Sequence, residues 1–199
     1  MEYSLTDTID LFNNLDRLVD GKQVSTDSRS RVSTSCFAFA LDTGRGINIL
    51  LDHQSHSPAF ALARIMYEAY IRGTWFLHCA SDEQISDFIK KDEIEVNIGK
   101  MILEIEKTEQ FFESDILSRS KKAHWNTLCS FTHSGYAQLS RYFNPKELFA
   151  NYHDEDINWL LSFISYLALL SCMGFSIVIK DEDLSKQLFE IESIFNTGP

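Results

Sequence analysis

The sequence predicts an all-α protein that folds as a bundle of about seven helices, and three observations carry that prediction. Apolar residues recur every three or four positions through most of the 199 residues. Only 3 Pro and 8 Gly occur, which is about half the usual share of these helix-interrupting residues. No segment alternates apolar and polar residues as a half-buried strand does, and no hairpin dipeptide joins two such segments.

Helical periodicity divides the chain into three regions of one predicted domain, residues 1–199. An N-terminal region, 1–22, holds a helix that Gly21 ends. A central region, 28–145, begins its second helix at Ser57-Pro58, because Ser caps helices and Pro fits the first turn. A C-terminal region, 154–196, holds a pair of helices, the first of which starts at three acidic residues. The predicted helices span residues 6–19, 28–54, 58–79, 81–91, 96–112, 118–142 with a break at Gly135 left open, 154–179 and 181–195.

The segment from Trp159 to Ile179 has 21 residues and no charge, which is long enough to cross a membrane. Acidic residues stand at both ends, and no excess of Lys or Arg marks a cytoplasmic side. A central helix covered by other helices explains the same pattern. We therefore expect no membrane association. Four cysteines without a CxxC pair, and no signal peptide, predict a reducing, cytoplasmic location.

Charge is unevenly distributed along this acidic chain. The formal net charge is −11, yet residues 116–146 hold five Lys or Arg residues and no Asp or Glu. One interpretation is a helix that packs against acidic neighbours. The other is a local site for an anion, such as a phosphate group or an RNA backbone.

Three charged residues interrupt the otherwise apolar predicted helix over residues 58–79. Arg64, Glu68 and Arg72 are spaced by four, so they form one stripe on the helix surface. The stripe is a solvent-exposed ladder, a buried structural network or the lining of a functional cavity. Charges on a covered helix must be paired or must face a polar cavity.

The predicted helix over 118–142 carries a second polar stripe. It contains Asn126, Ser130, His133 and Arg141, with Gln138 beside them and Arg119 one to two turns earlier on the same face; Trp125 and Leu128 lie on the opposite side. If the two stripes face each other, Glu68 orients His133, and Arg64, Arg72 and Arg141 bind an anion. No motif in the chain predicts a metal site or a cofactor.

Two strings carry a family resemblance. The segments SPAFALARIMYEAYIRGTW, residues 57–75, and WNTLCSFTHSG, residues 125–135, resemble a group of uncharacterised bacterial helical proteins that is similar to the HEPN superfamily. The resemblance covers roughly residues 28–145. It implies a helical bundle that is often a homodimer, and a metal-independent ribonuclease of a toxin–antitoxin or anti-phage system. RNA and a cognate antitoxin or defence protein are the partners that it implies.

The HEPN signature is an Arg followed, after four to six residues, by a His. The pairs Arg119…His124 and Arg72…His78 match it. The polar residue that usually follows the Arg is Ser120 in the first pair, whereas Gly73 departs from the pattern in the second. His133, which the family resemblance also highlights, has no Arg at the upstream spacing.

Two function classes follow. The first is a HEPN-like ribonuclease, in which a His takes the proton of the RNA 2′-hydroxyl and an Arg stabilises the charged phosphorane. The second is a non-catalytic helical module that binds a protein or an anionic, nucleotide-like ligand. The candidate catalytic residues are His133, Arg72, Glu68, Arg119 and His124; the candidate anion-binding residues are Arg64, Asn126, Ser130, Gln138 and Arg141.

Overall fold

The computed structural model describes residues 4–111, 114–143 and 150–197, with side chains described as far as residue 193. These ranges contain nine α-helices, two short 3-10 turns and no strand, which confirms the all-α class. The nine α-helices in these ranges exceed the predicted total of about seven. Each of the eight predicted segments contains an α-helix, and the segment over 118–142 is divided into two, whereas the segment over 96–112 is shortened to one α-helix and a 3-10 turn. The helices are α1 Leu5–Val19, α2 Ser28–Asp52, α3 His56–His78, α4 Asp82–Lys91, α5 Ile98–Ile105, α6 Ile116–Thr132, α7 Tyr136–Leu139, α8 Asp154–Ile179 and α9 Glu182–Thr197.

Local capping sets several of these boundaries. Ser4 and Ser81 begin α1 and α4 with reciprocal side-chain and backbone hydrogen bonds to the third helical residue. The start predicted at Ser57-Pro58 is wrong by two residues: α3 begins at His56. The Ser57 hydroxyl lies 2.6 Å from the Tyr142 hydroxyl and serves a tertiary contact instead.

A turn interrupts the helix between α6 and α7. α6 ends at Thr132, and Ser134 takes a left-handed backbone conformation with φ of 52°. A side chain added at Gly135 would lie 2.4 Å from the Ser130 hydroxyl oxygen, so this tight turn requires glycine. The break left open at Gly135 is therefore present, and residues 126–130 and 136–141 do not share one helix face.

The core forms where α8 packs across the antiparallel hairpin of α2 and α3. The ring of Phe37, fully buried on α2, lies between Gly73 of α3 and Gly174 of α8. A Cβ at either glycine would lie under 3.0 Å from that ring. The two glycines therefore allow three helices to approach around one aromatic side chain.

Helix α8 is, by length and composition, apolar enough to cross a membrane. Half of its most apolar stretch is buried inside the protein, where it contacts α1, α2, α3 and α9. A core helix and a membrane span both satisfy the length and composition criterion. The absence of membrane association stays a prediction.

Candidate anion-binding site

A groove of about 670 Å³ runs along one face of the α2–α3 hairpin. Phe88 and Ile89 of α4 line part of its wall, and Thr132 and His133 at the end of α6 line another part. Val32, Phe39 and Ile65 make most of the remaining surface apolar. Phe39 and Ile89 are more than half exposed, so the apolar wall is open to solvent.

The charged stripe of α3 lies inside this groove. Glu68 accepts a hydrogen bond from Arg64 Nε at 2.6 Å and a longer one from Arg72 Nη2 at 3.3 Å. The side chains of Arg64 and Glu68 are each only 19% exposed, whereas Arg72 is 43% exposed. Arg64 and Glu68 are therefore not part of a solvent-exposed ladder of charges, which was one of the three interpretations of this stripe.

His133 meets this stripe at Arg64. The guanidinium Nη1 of Arg64 hydrogen-bonds to His133 Nε2, and the Arg64 guanidinium also lies over the Trp125 ring, 4.9 Å from its centroid. The Lys121 ammonium lies 5.6 Å from the same centroid. Arg64 is thus held by a carboxylate, an imidazole and an indole, which fixes its geometry.

Arg72 has unused hydrogen-bonding capacity. Its Nε is buried and has no hydrogen-bond partner within the described residues. Arg31 of α2 lines the same groove, is exposed, and forms no ion pair with any part of the chain that the structure describes. Three arginines therefore face one carboxylate, so the groove is locally cationic within a protein of net charge −11.

Contacts on both sides of the α6–α7 turn hold His133 in place. The Thr132 hydroxyl lies 3.2 Å from the Ala61 carbonyl oxygen of α3. After the turn, the Ser130 hydroxyl accepts a hydrogen bond from the Ala137 backbone N–H at 2.9 Å. The His133 backbone N–H itself donates to the Cys129 carbonyl at 2.9 Å. Ser130 is therefore a structural residue of the turn that positions His133.

Gln138 and Arg141 lie elsewhere, in a polar junction with the start of α8. Gln138 is buried, donates to the Ser57 carbonyl at 3.0 Å and accepts from the Tyr152 hydroxyl at 2.9 Å. Arg141 makes two hydrogen bonds to the Asp156 carboxylate, at 2.5 and 2.7 Å. Neither residue lines the groove, because the turn at Ser134 separates them from α6, and the anion-binding role expected of both stays a prediction.

The remaining sequence candidates are also separated from the groove. Asn126 is exposed and does not line it, and Arg119 is exposed and pairs with Asp115 at 2.9 Å. His124 contacts Trp159 and Phe163 of α8, with ring centroids 5.6 and 5.5 Å away. Five residues turn a helix by about 140°, so Arg119 and His124 point in different directions.

The second signature match is separated as well. Arg72 lies in the groove, whereas His78 contacts Phe111, with ring centroids 6.3 Å apart. Six residues turn a helix by about 240°, which places the two side chains on different faces of α3. Neither signature pair is brought together within the described part of one chain.

Sequence reasoning missed two residues of this site. Arg31 is on α2, where steps of four place it on one face with Ser35 and Phe39, although no pattern within α2 shows that this face meets α3. Trp125, which we placed opposite the polar stripe, instead lies under Arg64. Within the described residues no cluster of three or more His, Cys, Asp or Glu side chains could hold a metal ion.

The thiol of Cys36 lines the groove but is a poor nucleophile. Burial raises its pKa to about 11, against a smaller opposing effect of the Arg72 charge. The thiolate is therefore scarce at neutral pH. The groove offers fixed cations and an imidazole rather than an activated sulfur.

Comparison with known proteins assigns a family but no activity. No curated protein and no solved structure matches this chain. The HEPN resemblance accordingly stays a prediction. A family model does match residues 37–197, a range that contains Arg64, Glu68, Arg72 and His133. The chain therefore belongs to DUF6988, a family of unknown function.

Proposed function

We propose that this protein is a binding module whose α2–α3 groove takes an amphiphilic anion, a phosphate or carboxylate attached to an apolar body. The observation that carries the proposal is Arg72, a groove-lining residue whose buried Nε–H has no acceptor among the described residues. A buried unsatisfied donor destabilises a protein by about 1–3 kcal/mol, and an anionic oxygen would remove that cost.

The surroundings of Arg72 support an amphiphile over a small inorganic ion. Arg31 is a second cation of the groove, and it forms no ion pair among the described residues. The anionic group of a ligand would therefore have two guanidinium neighbours. Phe39 and Ile89 present exposed apolar surface in the same groove. Burying such surface contributes about 25 cal/mol per Å², which favours a ligand with an apolar portion.

Titration calorimetry with decyl phosphate, decanoate and decanol tests this function. We expect both anions to bind more tightly than decanol, and Arg72→Met to weaken decyl phosphate binding about ten-fold or more, since a hydrogen bond to a charged group contributes roughly 1.5–3 kcal/mol. Arg119→Met, which removes an exposed arginine outside the groove, is the matched control. Equal binding of decanol and decyl phosphate, or no effect of Arg72→Met, would contradict the proposal.

A second candidate is a metal-independent ribonuclease of HEPN type, and the contact between Arg64 and His133 favours it. An RNA phosphate would compete with His133 Nε2 for Arg64. The released nitrogen then takes the 2′-hydroxyl proton, the 2′ oxygen attacks phosphorus, and the 5′ oxygen leaves with a proton from solvent. The products are a 2′,3′-cyclic phosphate and a 5′-hydroxyl end. A toxin–antitoxin or defence role, an antitoxin partner, a homodimer and a cytoplasmic location belong to this candidate.

RNA cleavage in EDTA separates the two candidates. The ribonuclease predicts cleavage that His133→Asn abolishes and that His124→Asn leaves intact, because His124 faces α8. Light scattering tests the homodimer in the same samples. Wild-type protein that cleaves none of several structured and unstructured RNAs would remove this candidate and leave the binding module.

A further inference from the structure

A second cavity, of about 520 Å³, lies between α6 and α8 with α3 at its base. Seven of the fifteen described residues that line it carry a ring. The rings of Trp159 and Phe163 are stacked, with centroids 5.2 Å apart and planes inclined by 17°. The other rings of the wall belong to Tyr67, Tyr70, Phe111, His124 and Tyr166.

The described residues that line the cavity carry no full charge. None of them is Asp, Glu, Lys or Arg. Burial lowers the pKa of His124, so its imidazole is neutral at pH 7. Burial likewise raises the pKa of Tyr67 to about 12, so that phenol stays protonated and can donate. A charged ligand would find no counter-ion on this wall.

One polar atom of the wall lacks a normal hydrogen bond. Tyr67 is 1% exposed, and its hydroxyl makes no hydrogen bond of normal geometry within the described residues; a side-chain interaction with the Ser120 hydroxyl lowers its pKa against the larger effect of burial. Buried phenols ordinarily find a well-aligned partner. Ser120 also lines the cavity, so a ligand acceptor that enters between the two hydroxyls would give Tyr67 the hydrogen bond that it lacks.

We propose that this cavity binds a neutral, planar aromatic molecule with one hydrogen-bond acceptor. The acceptor takes the Tyr67 hydroxyl proton, and the ring system packs against the Trp159 and Phe163 rings. The volume suits a compound of two to four fused rings, since small-molecule sites span roughly 300–1,000 Å³. This site is distinct from the groove on the other side of α3.

Two probes of equal shape test the acceptor. 9-Fluorenone carries a carbonyl oxygen at the position where fluorene carries only hydrogen. Equilibrium dialysis should give tighter binding of fluorenone, by about three- to ten-fold, because a neutral hydrogen bond contributes roughly 0.5–1.5 kcal/mol. Tyr67→Phe removes one oxygen from the protein and should abolish that preference while leaving fluorene binding unchanged.

A cavity-filling variant tests the location. Ser162 lines the cavity, so Ser162→Phe should weaken both probes at least ten-fold. Arg72→Met, in the other groove, should weaken neither. Circular dichroism and thermal melting establish that each variant is folded. Equal affinities of the two probes for wild-type protein, or undiminished binding to a folded Ser162→Phe protein, would overturn the proposal.

Discussion

The groove of the α2–α3 face and the aromatic cavity beneath α6 and α8 share helix α3 but differ in charge. Among the residues that the structure describes, three arginines and one glutamate line the groove, whereas no residue with a full charge lines the cavity. α3 supplies Arg64, Glu68 and Arg72 to the first and Tyr67 and Tyr70 to the second. On a helical wheel the centres of these sets are about 130° apart.

This difference teaches how a covered helix can carry ions. Steps of four keep Arg64, Glu68 and Arg72 on one edge, where each ion has a partner or solvent. The tyrosines on another edge provide apolar surface with a hydroxyl at the tip. One helix can therefore separate a cationic site from a neutral one without any sheet or loop between them.

The largest expected effect is a loss of the packing on which both regions depend. Gly174→Ala places a methyl group 2.4 Å from the fully buried Phe37 ring, so we expect a loss of about 1–3 kcal/mol in the free energy of unfolding. Urea denaturation measures it. Gly46→Ala is the matched control, because its nearest neighbour would lie 3.9 Å away and alanine favours a helix. Equal stabilities of the two variants would contradict the packing argument.

Removing the carboxylate of Glu68 should change ligand binding in the groove and leave ligand binding in the aromatic cavity unchanged. Glu68→Gln leaves Arg64 and Arg72 without their anion, so we expect a loss of about 1 kcal/mol in stability, and decyl phosphate binding several-fold tighter. Fluorenone binding should not change. Asp183→Asn, which breaks an exposed pair with Lys186, should alter stability far less. Unchanged or weaker decyl phosphate binding to Glu68→Gln would count against a cationic groove.

Salt should weaken ligand binding in the groove and not in the aromatic cavity. Raising NaCl from about 20 mM to about 500 mM shortens the screening length several-fold, so decyl phosphate affinity should fall about five-fold. Fluorenone affinity should stay within about two-fold, because no charge pairs with it in the aromatic cavity. Calorimetry and dialysis at both salt concentrations check this contrast. A common salt dependence would mean that the probes share one site.

The smallest expected effect is a pH dependence from His124. Burial lowers its pKa in the folded protein, so below about 6.5 the unfolded chain binds this proton more readily. The neutral His124 therefore contributes its full share to the free energy of unfolding above about pH 6.5, and this contribution is lost as the pH falls. His124→Gln should reduce the fall in Tm between pH 7.5 and 5.5, because this source of pH dependence is then absent.

Burial also lowers the pKa of His78. His78 should therefore continue to contribute to the pH dependence of Tm in the His124→Gln protein. A His78→Gln protein therefore serves as the comparison, and the double variant should melt with the weakest pH dependence. An unchanged slope in His124→Gln would contradict the neutral character of the aromatic cavity.

Local periodicity was sufficient to predict the helical class and the stripe of Arg64, Glu68 and Arg72. Both depend on residues a few positions apart in one helix. Helix ends were less predictable, since Ser57 contacts Tyr142 instead of capping α3. That contact joins residues far apart in sequence, and no local pattern records it.

The prediction of a second polar stripe on one helix was wrong beyond the turn at Ser134. Extending one helix from His133 to Arg141 assumed helical geometry at Ser134, whose φ of 52° ends it. Arg31 was missed for a different reason: it belongs to the partner helix of the hairpin, and periodicity within α2 does not state which face meets α3. The Arg64–His133 contact likewise depends on packing between helices.

The anchoring of the turn after α6 bears on the thermodynamics of any ligand of the groove. Three side-chain hydrogen bonds order this segment when the chain folds: Thr132 and Gln138 donate to backbone carbonyls of α3, and Ser130 accepts from the Ala137 N–H. His133 and Arg64 are consequently preorganised, and association need not freeze a loose loop. Ligand entry should then leave the backbone amide exchange rates of residues 130–139 nearly as they were in the empty protein.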